Sequence, residues 1–160
     1  MIKLYDYILS GSCYKVRLML NILNVEYEAV PVDFYPGLEH KKPDFLALNP
    51  LGQLPVLTDD ELILRDAQSI LLYLVSKYDA ANTWFPEDAA TRGQVAMWTA
   101  FGGDEIMAAS AARLHDVLNY PFDIDQQRKS AHAAFLILDD HIAEQEIKGF
   151  DWLAGTSPTI

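Results

Sequence analysis

Apolar and polar positions follow one rhythm in the first half of this chain and another in the second. Residues 2–7 (IKLYDY) are short, apolar and aromatic and predict a buried strand. Residues 12–23 set Val16, Leu20 and Leu23 at helical spacing, and residues 27–32 alternate with β-branched content as a second strand. The stretch "FYPGLEHKKPDF" is a loop that runs into a short helical piece before Asn49. "LPVL" then opens a third strand on a proline, "TDDE" reads as a turn, and residues 62–64 make a fourth strand. From Asp66 onward, Ile70, Leu71, Leu74, Val75 and Tyr78 share one helical face. The order is βαβ followed by ββα. The first unit needs a right-handed crossover and a parallel pair, and the second is a hairpin with a covering helix. An α+β domain with a four-stranded mixed sheet is therefore expected over residues 1–78.

No strand signal follows. Residues 79–88 read as a linker, and residues 89–160 as an all-α domain. One long helix is expected over 90–117, weakened by Gly102 and Gly103, and another over 124–147 with Ala131, Ala134, Phe135, Leu138 and Ile142 on its inner stripe. Near the end, Thr159 after Pro158 stands where a helix N-cap would go, so the helical domain is expected to be incomplete.

Composition narrows the function. Hydrophobic residues make up 51% and charged residues 22%, a globular balance. A net charge of -11 sets phosphate backbones and anionic membranes against the protein by repulsion, so neither nucleic acid nor membrane is an expected partner. The single cysteine excludes an internal disulfide and fits a reducing compartment. Asp6 interrupts the N-terminal apolar run, which argues against a signal peptide. The longest apolar run, residues 70–75, is far below the ~20 residues that span a bilayer. A cytoplasmic location is expected. His115, His132 and His141 lack metal-ligand spacing, and no metal is expected.

Three segments carry candidate chemistry. "SGSC", at the front of the first helix, gathers two hydroxyls and the thiol where free N–H groups and the positive dipole end stabilise a thiolate, either that of Cys13 or a ligand's. The same residues also read as an N-cap and a small core filler. In "NPLGQLPVL", Pro55 at a strand start suggests a special turn, with a cis Leu54–Pro55 bond that would aim the Leu54 backbone at an extended, peptide-like ligand. An edge-strand proline is the plainer alternative. Asp66, before the third helix, reads as its cap or as a carboxylate for a ligand ammonium.

Taken together, "SGSCYKVRL", "NPLGQLPVLTDDELILRDAQSILLYL" and "WLAGTSPTI" resemble the cytosolic glutathione S-transferase superfamily, in its bacterial-type, serine-type form. They match in turn its S-x-x-C first-helix motif, its N-P-x-G-x-[VLI]-P-x-L and E-S-x-A-I segments, and its later helix-capping motif. The resemblance implies a thioredoxin-like N-terminal domain, an all-helical C-terminal domain, a homodimer, and glutathione as co-substrate. It makes Ser10 the catalytic hydroxyl on the glutathione sulfur, with Ser12 and Cys13 beside it in the binding set. Leu54 becomes the residue whose backbone pairs with the cysteinyl unit, Pro55 the cis proline, and Asp66 the acid near the γ-glutamyl group. Gln53 and His40 match positions that line the site. Ala67 departs from the family's serine: its N–H remains, but the side-chain donor is lost. The implied function is activation of the glutathione thiol for attack on a small electrophile. A non-catalytic binding or regulatory protein, and a glutathione-dependent reductase or peroxidase, are the alternatives.

Overall fold

The computed structural model describes residues 1–160. The chain divides into two compact units, Met1–Tyr78 and Asp79–Ile160.

The first unit runs β1 (Lys3–Asp6), α1 (Gly11–Ile22), β2 (Glu28–Pro31), a 3-10 turn (Glu39–Lys41), α2 (Pro43–Leu48), β3 (Val56–Asp59), β4 (Leu62–Arg65) and α3 (Ala67–Tyr78). The sheet order is β2-β1-β3-β4, with β1 parallel to β2 and antiparallel to β3, and β3 antiparallel to β4. This is a thioredoxin-like fold. Strand periodicity puts Leu4 and Asp6 on one side of β1 and Lys3 and Tyr5 on the other. Asp6 pairs with Arg17, so its side faces α1. Leu4 pairs with Leu57, and both are buried with Val16, Leu20, Ile70 and Leu74. Burying each of these large side chains contributes about 1.5–3 kcal/mol. Across the sheet, Val32, Phe45 and Val56 form a smaller cluster with Tyr5 and Leu54 packed on it.

Local chemistry ends these elements. After α1, Asn24 adopts a left-handed conformation (φ 52), which its short polar side chain tolerates. Pro43 opens α2, where its missing N–H is harmless. Asp59, at the end of β3, accepts from Tyr73 Oη at 2.6 Å and Lys77 Nζ at 2.5 Å, tying the hairpin to the last turns of α3.

The second unit holds α4 (Ala89–Gly103), α5 (Met107–Leu118) and α6 (Ile124–Ile147). The single helix expected over 90–117 is two. The break follows Gly102 and Gly103, whose low helix propensity favours a kink. There the Asp104 N–H is shared between the Ala100 and Phe101 carbonyls, and the Ile106 N–H returns to Phe101. Asp88 and Asp123 cap α4 and α6 with their carboxylates. Within residues 79–88, Trp84 N donates to Asp79 Oδ2 at 2.7 Å, and Arg92 Nε donates to the Pro86 carbonyl at 2.6 Å.

The inner stripe of α6 also differs from expectation. Ala131, Ala134 and Gln145 are buried, with Leu138 and His141 half-buried between them, while Phe135 and Ile142 are exposed. Positions 131, 134, 138, 141 and 145 keep one seam at three- and four-residue spacing. Its polar members are accommodated because they find carbonyl partners: His141 Nε2 meets Leu153 O at 2.9 Å, and Gln145 Nε2 donates to Trp152 O at 3.3 Å. Phe135 and Ile142 lie one position off the seam. No helix is long and apolar enough to cross a membrane.

Candidate functional site

Strand register assembles the site. Tyr5 of β1 stands opposite Val56 of β3, and Val56 stands opposite Arg65 of β4. The end of β1, the start of β3 and the end of β4 therefore share one end of the sheet. From that end leave the turn to Ser10, the Leu54–Pro55 segment and Asp66. Three stretches distant in sequence are gathered by two antiparallel pairings.

Ser10 is the N-cap of α1, with extended backbone (φ -76, ψ 121) and its Oγ accepting from Cys13 N at 3.2 Å. Its own N–H donates to the Tyr7 carbonyl at 2.9 Å. A hydroxyl whose lone pair is held by a backbone N–H keeps its proton to donate elsewhere. Ser12 is half-buried in the first turn of α1. Cys13 is 0% exposed, and burial pushes its thiol up to about 11 against the opposing hydrogen bond from Ser10. It is a protonated core thiol at neutral pH, which corrects its inclusion among ligand-facing residues: helix periodicity turns it inward with Val16 and Leu20. Tyr7 packs its ring on Phe34 at 5.4 Å between centroids, and burial, reinforced by Asp33, raises its phenol.

The Leu54–Pro55 bond is cis. The sheet ladder begins at Val56, so the Leu54 N–H and carbonyl take no part in it. Asn49, buried at the end of α2, shapes the loop before it: its Nδ2 donates to Gln53 O at 2.9 Å and its Oδ1 accepts from Leu51 N at 3.1 Å. Gly52 has φ +58, and a Cβ there would stand 2.7 Å from the His40 carbonyl. Lys41 Nζ donates to the carbonyls of Leu51 (3.3 Å) and Gly52 (3.1 Å), and the Gln53 side chain is exposed.

His40 departs from expectation. It is 1% exposed, with its ring stacked on Phe34 at 4.1 Å and Nδ1 without a hydrogen-bond partner. Burial, with Lys41 alongside, keeps the imidazole below its ordinary pKa and so neutral. Its carbonyl lies close against Gly52, and the ring is shut off from solvent.

Asp66 has φ 118, a backbone region that L side chains rarely adopt. Its Oδ1 accepts from Ser69 N at 2.9 Å and its carbonyl accepts from Ile70 N at 3.0 Å, so it caps α3. Lys15 of α1 lies within electrostatic reach: burial depresses its ammonium while Asp66 works to keep it charged. Ala67 opens α3 with its methyl buried. Lys15, Lys41 and Asn49 were missed in the sequence. Lys41 sits inside "HKK", the one compact cationic run in that loop, and Asn49 opens "NPLG". The site thus offers a hydroxyl and two helix N-termini as donors, a Leu54 backbone outside the sheet ladder, the Asp66 carboxylate, and the ammonium groups of Lys15 and Lys41.

The domain is thioredoxin-like, with a serine capping its first helix, a cis proline just before its third strand and an acid capping its third helix. Comparison with known proteins makes the class specific. The family model "Glutathione S-transferase, N-terminal domain" matches residues 4–82. Glutathione S-transferase F13 of Arabidopsis thaliana is 30% identical over 99% of this chain and 74% of its own length. Glutathione S-transferase 3 of Zea mays is 39% identical over 61% of this chain, a match that takes in 43% of the maize protein. Among solved structures, a possible glutathione S-transferase from Rhodopseudomonas palustris superposes with a TM-score of 0.80 at 30% identity, covering 99% of this chain and 75% of that one. The chain belongs to the glutathione S-transferase family.

Proposed function

We propose that this protein binds glutathione at the Ser10 end of the sheet and activates its thiol for attack on a small electrophile. The observation that carries the reading is the meeting of the Ser10, Leu54–Pro55 and Asp66 segments through the Tyr5–Val56–Arg65 register. Leu54 supplies a backbone N–H and carbonyl for the cysteinyl unit, in the manner of an added strand. Asp66 faces the γ-glutamyl ammonium, and the front of α3 its carboxylate. Ser12 supports the α1 terminus, and Gln53 lies toward the glycyl end. The Ser10 hydroxyl donates a hydrogen bond to the sulfur.

A free thiol has a pKa of about 8.5, so only a few per cent is ionised at pH 7. Lowering it by about two units corresponds to roughly 2.7 kcal/mol, within reach of one hydroxyl donor and a helix end together. The thiol proton leaves to solvent. The thiolate then forms a carbon–sulfur bond as the electrophile's leaving group departs with its electron pair. The protein is proposed to act in the cytoplasm as a homodimer, which sedimentation would check.

A second reading rests on Ala67, whose buried methyl offers no hydroxyl to the γ-glutamyl carboxylate. Losing one charge-assisted hydrogen bond costs about 1.5–3 kcal/mol, which weakens glutathione and favours a binding or regulatory role. Calorimetry with glutathione, followed by assays with an aryl halide and an organic peroxide, separates the readings. Transfer to the halide supports the transferase. Binding without turnover supports the regulatory role, and turnover of the peroxide alone supports a peroxidase.

A further inference from the structure

Against the turn from β1 to α1 lies a charged group that the proposed chemistry does not use. Arg17, on the second turn of α1, pairs through Nη1 with Asp6, the last residue of β1, and its Nη2 donates to the Ile8 carbonyl at 3.2 Å. Both charged side chains are largely buried, at 16% and 12% exposure, whereas Ile8 is open to solvent. The planar guanidinium thus clamps a strand end and the exposed turn that delivers Ser10. Asp6 is fixed in turn, since its carbonyl accepts from Val32 N at 2.8 Å on the neighbouring chain segment. We propose that Arg17 is a positioning residue: bridging Asp6 and the Ile8 carbonyl, it holds the Tyr7-to-Ser10 turn so that the Ser10 hydroxyl stays seated on the front of α1.

The consequence for a bound thiol rests on the function proposed above; the positioning itself does not. Titratable groups around the junction are Asp6 and Tyr7 on β1 and its turn, Cys13, Lys15 and Arg17 on α1, Asp33 beside Tyr7, and Asp66 before α3. Removing the Arg17 charge leaves Asp6 a buried, unpaired carboxylate under the turn, which opposes a second negative charge nearby.

The experiment uses the full chain with Arg17→Met and Arg17→Lys. Its first readout needs no ligand. The N–H groups of Ser10, Cys13 and Tyr14 donate to Tyr7 O, Ser10 Oγ and Ser10 O, so their hydrogen exchange reports the seating of the turn. Arg17→Met is expected to speed exchange there by at least about tenfold, with the β3–β4 ladder changed less than about threefold. Arg17→Lys keeps the charge but lacks the fork and is expected to fall between the two; it also carries the test if Arg17→Met does not fold. Equal exchange in all three proteins overturns the proposal. The second readout is the apparent pKa of bound glutathione. Arg17→Met is expected to raise it by about one unit, from about 6.5 to about 7.5, which lowers the thiolate share at pH 7 about threefold, with affinity changed less than about threefold. A folded variant that binds glutathione with an unmoved pH profile contradicts the catalytic consequence. If the unaltered protein binds no glutathione, the functional reading falls and the exchange result alone decides the positioning.

Discussion

The two units bury their helices in opposite ways. In Met1–Tyr78, the twelve-residue helices α1 and α3 bury four and five side chains, nearly all large and apolar. In Asp79–Ile160, the 24-residue α6 buries only Ala131, Ala134 and Gln145, and α5 has no fully buried residue. The first unit is held by interdigitated aliphatic bulk. The second relies on close approach of small residues and on side-chain bonds to the carbonyls of Leu153 and Trp152. A hydrophobic pattern therefore accounts for the buried faces of α1 and α3 and only partly for that of α6.

Several substitutions break or sharpen that contrast. The largest effect is expected from Leu74→Ala, which empties a fully buried site in the first unit at a cost of about 2–5 kcal/mol. All three tryptophans, Trp84, Trp98 and Trp152, lie in the second unit, so their fluorescence reports that unit alone. Urea unfolding followed by circular dichroism should shift more than unfolding followed by tryptophan. Equal shifts would mean that the two units melt as one.

Gly52→Ala comes next. A left-handed φ of +58 and a Cβ 2.7 Å from the His40 carbonyl predict a loss of about 1–3 kcal/mol, together with weaker glutathione binding from a displaced Leu54. An unchanged melting temperature and affinity would remove the loop from the site. In the second unit, Gln145→Ala removes a bond to Trp152 O and is expected to cost about 1 kcal/mol with a change in tryptophan emission. Phe135→Ala, though it deletes a whole ring from the same helix, should cost less than about 0.5 kcal/mol, because the ring is exposed. A reversal of these last two would restore the apolar stripe as the true seam.

The smallest expected effect depends on pH. Lys77 and then Tyr73 hold the Asp59 carboxyl below its ordinary value. Its contribution to stability is therefore present above the unfolded carboxylate pKa of about 3.9 and is lost as pH falls through the lower folded value. Asp59→Asn should flatten the acid limb of the stability curve below about pH 4 and leave it parallel to the parent at pH 7. An acid limb of undiminished slope would assign acid lability elsewhere.

Much of the first unit was legible because each element carries its own signal. Ser10 and Asp66 precede periodic apolar runs, Pro55 marks a strand start, and "TDDE" marks a hairpin. The split of the long helix was half legible: Gly102 and Gly103 flagged a weak point, but only the shared hydrogen bonds at Asp104 show that the helix ends there. The α6 seam was misread because His141 and Gln145 look like surface residues until their carbonyl partners are known. At the site, residue type and local position pointed to Ser10, Leu54 and Asp66. They could not tell that the His40 ring faces inward, since that depends on where the 3-10 turn packs, whereas the spacing of Cys13 with Val16 and Leu20 already allowed its reading as a core filler. The clamp at Arg17 was invisible for the same reason: nothing in "YKVRL" names Asp6 and Ile8 as its partners.

The most direct test of the central claim is a pH titration of the thiol of bound glutathione, read by thiolate absorbance, in the unaltered protein and in Ser10→Ala. The account predicts an apparent pKa about two units below the free value of about 8.5 in the first, and a return most of the way toward the free value in the second. A pKa that is the same in both proteins, or a thiol no more acidic when bound than when free, would contradict it.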